Sequence, residues 1–161
     1  MIGAFEIVKW LHIINSTVLF GTGLGTAYYM LRAWRSGRAG IAAAVGRMVV
    51  EADWMFTLTA GLVQPATGIA MIVMEGWDPR SGWLVATYVL YAIAFACWAP
   101  VVVLQMRATR IARALPEEAA LPAAYHRLMR AWFLLGWPAF IALLLIFFLM
   151  VAKPDLRGLI S

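Results

Sequence analysis

Charge, cysteine and histidine are scarce in this sequence. Asp, Glu, Lys and Arg make up 13% of its 161 residues, which is too little to cover the surface of a soluble domain. The single cysteine, Cys97, excludes an internal disulfide and a cysteine-based metal cluster within one chain. The two histidines, His12 and His126, have no second ligand at zinc spacing. Serine-hydrolase and phosphate-loop patterns are also missing, and "GTGLGT" at 21–26 lies inside an apolar run instead of following a strand.

Long apolar runs dominate what is present. Hydrophobic residues make up 64% of the chain, and the mean hydropathy is +0.83. Crossing a bilayer takes a helix of about 20 mainly apolar residues, and lipid cannot satisfy free backbone groups, so helices are the expected spanning form. We predict an all-α integral membrane protein: a single domain over 1–161 that forms a left-handed, up-down-up-down four-helix bundle. The predicted spans are about 7–31, 48–74, 83–106 and 132–152.

The arginines are concentrated at one end of the predicted bundle, which we call the arginine-rich end. The positive-inside rule predicts that its loops are cytoplasmic and that both chain termini lie outside. The net charge of +5 therefore indicates topology and contact with anionic lipid headgroups, and it does not indicate nucleic-acid binding. The arginine-rich end carries Arg32, Arg35, Arg38, Arg47, Arg107, Arg110, Arg113, Arg127 and Arg130, and the opposite end carries Lys9, Arg80, Lys153 and Arg157.

The first span has two specialised faces. On a helical wheel, Lys9, His12 and Ser16 fall within one narrow arc. Gly21 and Gly25, spaced as G-x-x-x-G, point nearly the opposite way and would let another helix approach closely. We predict that this glycine face packs against a helix of this chain or of another one. The protein would then be a homo-oligomer or a subunit of a larger membrane complex.

Polar side chains also form stripes on the second and third spans. We predict that these stripes and the His12 arc converge on one interior site, which the almost wholly apolar fourth span seals against lipid. Pro65 is expected to bend the second span and to free a backbone carbonyl. The alternative for Asp53 is a pair with Arg47 or hydration at the membrane boundary. The predicted interior residues are Asp53, Thr57, Gln64 and Met71 on the second span and Tyr91, Trp98 and Gln105 on the third.

His12 is the residue for which a function is most strongly indicated. Its short side chain lies too deep to reach the headgroups easily, and a neutral imidazole can ligate haem iron, ligate another metal or transfer a proton. His126 lies at the other end, so a second axial ligand to a haem b would be Met71 or His12 of a second copy, unless the iron stays five-coordinate. The structural alternatives are that Lys9 anchors the helix at the surface and that Met71 fills the core.

Several stretches resemble a bacterial family of four-helix predicted integral membrane proteins, classed as a domain of unknown function. They are "FEIVKWLHIINSTVLFGTGLGTAYYMLRAWRSG", "EADWMFT", "QPATG", "CWAPVVVLQMR" and "GWPAFIALLLIFFLMVAKP", and the resemblance extends over nearly the whole chain. This resemblance implies a bacterial inner-membrane location and brings no established activity.

The K-x-x-H of the first helix, with its glycine, aromatic and Arg-rich exit, more distantly resembles HemJ-type protoporphyrinogen oxidases and CopD-like copper-resistance membrane proteins. HemJ-type proteins bind haem b and oxidise protoporphyrinogen IX. The resemblance implies that His12 is a haem ligand and that Lys9 meets a porphyrin carboxylate.

Three hypotheses for the function follow. The first is a haem- or porphyrin-handling, redox-linked protein in which His12 ligates, Lys9 and Arg80 meet propionates, and Tyr91 and Trp98 line the pocket. The second is a non-catalytic subunit or assembly factor of a larger inner-membrane complex. The third is a small-solute or metal permease, which four helices without an inverted repeat favour least.

Overall fold

The computed structural model describes residues 2–155, and within this range the regular structure is helical. The all-α prediction is confirmed. Arg157 lies outside the described residues. The helices are α1 (Ala4–Ser36), α2 (Ala39–Ala52), a π-helical turn (Asp53–Thr57), α3 (Leu58–Glu75), α4 (Gly82–Arg113) and α5 (Ala123–Ala152).

Four helical stretches in the described part of the chain are long and apolar enough to cross a membrane. They are α1, the continuous helix Ala39–Glu75, α4 and α5, and each contains one predicted span. The helices run past the predicted limits because the arginine-bearing segments beyond the apolar runs remain helical. The turn after α1 is short, with Gly37 in the left-handed conformation (φ 70°), and α2 continues directly into the second span.

The best-packed core lies at the arginine-rich end. Tyr125 and Met129 of α5 and Met30 of α1 are fully buried there. α2 and α4 cross very closely beside them, because a Cβ added to Gly46 would overlap the hydroxyl oxygen of Thr109 and lie 3.2 Å from both its Cβ and its Cγ2. Helices α1 and α5, by contrast, contact each other only sparingly. The four spans are therefore firmly joined at one end and leave space between α1 and α5 further along.

At the same end, backbone hydrogen bonds join the first two spans (α1 to α3) to the last two (α4 and α5). The first amides of α2, Ala39 N and Gly40 N, donate to Ala119 O and Glu117 O, both at 2.9 Å. Leu121 N donates to Gly37 O at 3.1 Å. The free N–H groups at the start of α2 are thus satisfied by the loop between α4 and α5, since α2 has no side-chain cap.

The opposite end is held by a cation and aromatic rings. The Nζ of Lys153 lies 4.1 Å from the ring centroid of Trp77 and 5.4 Å from that of Trp83. The Trp77 ring also meets Phe5 of α1 edge-on, at 6.5 Å. Cation–π contacts of this kind join the end of α5 to the turn between α3 and α4.

Candidate functional site

A chain of hydrogen bonds joins α1 to α3 in the half of the bundle away from the arginine-rich end. His12 Nδ1 lies 2.7 Å from Thr67 Oγ1, and His12 Nε2 lies 2.9 Å from the amide nitrogen of Gln64. The amide nitrogen of Asn15 donates to Gln64 Oε1 at 2.6 Å and to the Ala60 carbonyl at 2.8 Å. All four side chains are part-buried, and each has a partner on the other helix.

The donors and acceptors fix the direction of this chain. An amide nitrogen can only donate, so His12 Nε2 accepts from Gln64 and carries no proton. The neutral ring therefore holds its proton on Nδ1 and donates it to Thr67 Oγ1. The Thr67 hydroxyl in turn donates to the carbonyls of Val63 and Gln64, both at 3.0 Å. His12 thus acts here as a satisfied, neutral link between two helices.

In this arrangement neither ring nitrogen of His12 is free to ligate iron. Both ring nitrogens are hydrogen-bonded, and a Cβ added to Gly68 would lie 3.4 Å from His12 Cε1. Coordination of iron through Nε2 would require the Gln64 amide to move away. Among residues 2–155 no group of three or more His, Cys, Asp or Glu side chains could hold a metal ion. Haem ligation by His12 stays a prediction.

Pro65 frees a backbone carbonyl, as expected from the sequence, and Tyr91 donates a hydrogen bond to it. Proline lacks the N–H that would bond the carbonyl four residues back, which is that of Gly61. The Tyr91 hydroxyl of α4 donates to this Gly61 oxygen. The missing hydrogen bond of the second span is thereby replaced by one that reaches from the third span, next to the His12 chain.

Removing the Tyr91 hydroxyl is expected to destabilise the protein only while Pro65 is present. Tyr91→Phe should lower the free energy of unfolding by about 1 kcal/mol, because the Gly61 carbonyl then has no donor inside the membrane. In a Pro65→Ala background the helix supplies its own donor, and the same change should cost close to nothing. The measurement is unfolding in a mixed-micelle SDS titration of the four proteins in this cycle. Equal costs in the two backgrounds would contradict the assignment.

A second polar group lies nearer the arginine-rich end and is more deeply buried. Asp53 is 4% exposed and Gln105 3% exposed. Thr57 Oγ1 donates to Asp53 Oδ1 at 3.0 Å. The alternative pair of Asp53 with Arg47 is not formed, and Nε of Arg47 lies 3.9 Å from Oε1 of Glu51. The expected single interior site is therefore two separate polar groups, one around His12 and one around Asp53.

The Asp53 group forms part of the wall of a cavity of about 400 Å³ between the four spans. Most of the remaining wall is apolar and aromatic, and within it Phe20 of α1 stacks on Phe140 of α5, with ring centroids 5.3 Å apart. The cavity occupies the arginine-rich half, since on α1 it begins only at Leu19. Its polar and aromatic wall residues are Phe20, Thr26, Tyr28, Asp53, Thr57, Tyr91, Phe95, Trp98, Gln105, Trp132, Phe133, Trp137 and Phe140.

The cavity opens toward lipid between α1 and α5. Several of its wall residues are also exposed, among them Leu24 (50%) and Tyr28 (58%) of α1 and Trp137 (51%) of α5. At the buried end of the cavity, several polar atoms lack hydrogen-bond partners in the described part of the chain. Gln105 Oε1 and the indole nitrogens of Trp98 and Trp132 have no hydrogen-bond partner within residues 2–155.

The remaining predicted site residues lie apart from both polar groups. Lys9 is exposed, with its Nζ 5.9 Å from the Phe5 ring centroid. The Ser16 hydroxyl donates back to Ile13 O of its own helix at 2.7 Å. Met71 is buried on α3 and is not part of the cavity wall.

The predicted packing face of α1 has no close neighbour in this chain. A Cβ added to Gly21 or Gly25 would meet nothing within 4 Å in the described structure. If this face packs closely against a helix, that helix belongs to another chain.

Asn15, Thr67 and Trp132 were not among the predicted site residues. Asn15 and Thr67 follow His12 and Gln64 by three residues each, a spacing that places two side chains on neighbouring positions of one helix face. That spacing could have identified the pairs His12–Asn15 and Gln64–Thr67. Trp132 carried no such signal, because tryptophans near span ends commonly anchor helices at the membrane surface.

Comparison with known protein families shows which family the chain belongs to. The model of the family described as "predicted integral membrane protein (DUF2269)" matches residues 6–154. The chain belongs to this family. No curated protein and no solved structure matches it. Membership of the DUF2269 family agrees with the four membrane-spanning helices and with contact to the lipid bilayer, and its description names no activity.

Proposed function

We propose that this protein holds a flat, lipophilic ring molecule of the porphyrin class in the central cavity, within the bacterial inner membrane. The cavity between the four spans is the observation that carries the proposal. Its volume of about 400 Å³ falls within the range of about 300–1,000 Å³ that is usual for small-molecule sites.

The walls supply the interactions that such a ring needs. Phe20 and Phe140 stack on each other at the cavity wall, and their neighbours Trp98 and Trp137 add further aromatic surface. Aromatic faces pack well on a conjugated ring and exclude water from it. The Asp53 group offers hydrogen-bonding atoms at the buried end, and the exposed residues between α1 and α5 give a path of entry from the lipid.

The proposal also covers how the ring is held and how the protein is linked to redox chemistry. None of the cavity wall residues is a histidine, cysteine or methionine, the usual protein ligands of haem iron. We therefore infer that the ring is retained by packing and hydrogen bonding and is passed to or from an oxidoreductase. Haem bound through His12 would form a different site, so the experiment below separates the two.

Titration with protoporphyrin IX in neutral detergent tests the proposal, with quenching of tryptophan fluorescence as the signal. Gly136 borders the cavity, and a Cβ there meets nothing within 4 Å, so the side chain of Gly136→Leu would occupy space that the ligand needs. We expect this variant to weaken binding by about tenfold. Gly21→Leu is the matched control, because Gly21 faces away from the cavity, and it should bind like the parent.

Two outcomes would overturn the proposal. One is no saturable binding to the parent protein. The other is equal binding by the Gly136→Leu and Gly21→Leu variants. Haemin and the His12→Ala variant are then the informative pair. A Soret band that shifts on reduction and disappears in His12→Ala would assign the cofactor to His12.

A second candidate function is that of a subunit or assembly factor, and the glycine face of α1 favours it. Gly21 and Gly25 have no neighbour within 4 Å in the described structure, although their spacing suits close helix packing. Leucine at either position would then shift the size of the complex in detergent. Unchanged sizing of both variants would remove the reason for this candidate.

A further inference from the structure

A second groove lies at the arginine-rich end, directly beside the central cavity. It has a volume of about 530 Å³ and is lined by Trp34 and Arg35 of α1, by Gly37 of the turn that follows, and by His126 of α5. Leu31 and Phe133 border both the groove and the cavity. These two apolar side chains therefore lie between the two spaces.

The groove differs from the cavity in charge. Arg35 follows Leu31 by four residues, so both lie on the same face of α1. Among residues 2–155, the ion pairs at this end are Arg38 with Glu118 and Arg47 with Glu51, and neither includes Arg35. The guanidinium group of Arg35 is therefore available to an incoming anion.

His126 adds a hydrogen-bond donor to the same groove. Its Nδ1 accepts from the indole nitrogen of Trp34 at 2.8 Å. The neutral ring consequently carries its proton on Nε2, where it can donate. Trp34 thus holds the ring across the gap between α1 and α5.

The surrounding field also favours an anion. The arginine-rich end has nine arginines against four acidic residues, Glu51, Asp53, Glu117 and Glu118. Glu51 and Glu118 are paired with arginines, and Asp53 is buried beside Thr57. A cleft bordered by charge of one sign concentrates ions of the opposite sign. An apolar cavity that adjoins a basic groove is complementary to a molecule with an apolar body and an anionic end.

We propose that the ligand of the central cavity is a lipophilic anion whose carboxylate or phosphate group binds at Arg35 and His126. This inference rests on the proposed function and adds the charge and orientation of the ligand. It places the anionic end at the arginine-rich end, opposite to the contact with Lys9 and Arg80 that the sequence suggested. A carboxylate would come from a porphyrin side chain and a phosphate from a membrane lipid.

A pair of probes that differ at their two carboxyl groups tests the inference. Protoporphyrin IX carries two carboxylates, and its dimethyl ester carries none. We expect the parent protein in neutral detergent to bind the diacid about fivefold more tightly than the ester, as suits one partly exposed ion pair. The preference should fall in 1 M NaCl, because salt screens such a pair.

The matched variants are Arg35→Gln and Arg32→Gln. Both residues are exposed arginines of α1, and only Arg35 lines the groove. Arg35→Gln should bind diacid and ester alike, whereas Arg32→Gln should keep the preference of the parent. Equal binding of the two probes by the parent would overturn this inference and leave the proposed function standing.

Competition with phosphatidylglycerol distinguishes the two sources of the anion. If this lipid displaces the porphyrin from the parent protein but not from Arg35→Gln, the groove accepts a phosphate as well as a carboxylate. If neither porphyrin binds and the lipid binds in an Arg35-dependent way, the anion inference holds while the porphyrin proposal fails. Binding of none of the three probes would overturn both.

Discussion

Replacing Gly46 with alanine is expected to lower the free energy of unfolding by about 2 kcal/mol. The new methyl group would overlap the Thr109 hydroxyl oxygen where α2 crosses α4, and the branched threonine side chain has little freedom to yield. Alanine favours a helix over glycine by about 1 kcal/mol, so the gross cost of the overlap is larger than the net effect. SDS titration in mixed micelles measures the difference.

Two further variants identify the overlap as the cause. Gly46→Ala combined with Thr109→Ala should recover most of the lost stability, because the second change removes the atom that is struck. Gly21→Ala serves as the control, since a Cβ at Gly21 meets nothing within 4 Å, and it should be neutral or slightly stabilising. A Gly46→Ala protein as stable as the Gly21→Ala protein would show that the crossing is less tight than described.

Replacing Gln64 with leucine is expected to cost about 1–2 kcal/mol. The Gln64 side chain is the centre of the hydrogen-bond chain between α1 and α3. Its loss would leave His12 Nε2 without a donor and Asn15 with one acceptor fewer. The same SDS titration measures this cost, and the ring protons of His12, followed by NMR, should report the altered tautomer.

A double-mutant cycle tests whether the chain acts as a unit. Asn15→Leu and Gln64→Leu together should cost less than the sum of the two single changes, because the second change removes a partner that is already lost. Ser16→Ala is the control and should be nearly neutral, since that hydroxyl bonds only to its own helix. Strict additivity of the Asn15 and Gln64 changes would contradict a connected chain.

The sequence predicted those parts of the fold that depend on local composition. Apolar length alone located the four spans, and the missing N–H of Pro65 predicted a free carbonyl on the second. The sequence placed Tyr91 on the polar stripe of the third span, but it did not predict that its hydroxyl donates to this carbonyl. Which residues face each other across two helices depends on rotation and bending, which helical periodicity does not determine.

The same limit explains why one expected site became two. His12 and Asp53 each lie on a polar stripe, and a wheel shows only that both stripes face inward. It does not show which side chains of neighbouring helices meet. In the structure His12 is joined to Thr67 and Gln64, whereas Asp53 is joined to Thr57. The cavity could not be foreseen either, because it arises from the separation of α1 and α5.

The backbone hydrogen bonds between the first two and the last two spans have a consequence for folding during synthesis. Ala39 N and Gly40 N, at the start of the second span, find their acceptors at Ala119 and Glu117, about eighty residues later in synthesis. The first two spans therefore enter the membrane before these N–H groups have their acceptors. The two pairs of spans can be joined at this point only after the third span has been inserted. A chain that stopped earlier would leave these N–H groups without their protein acceptors.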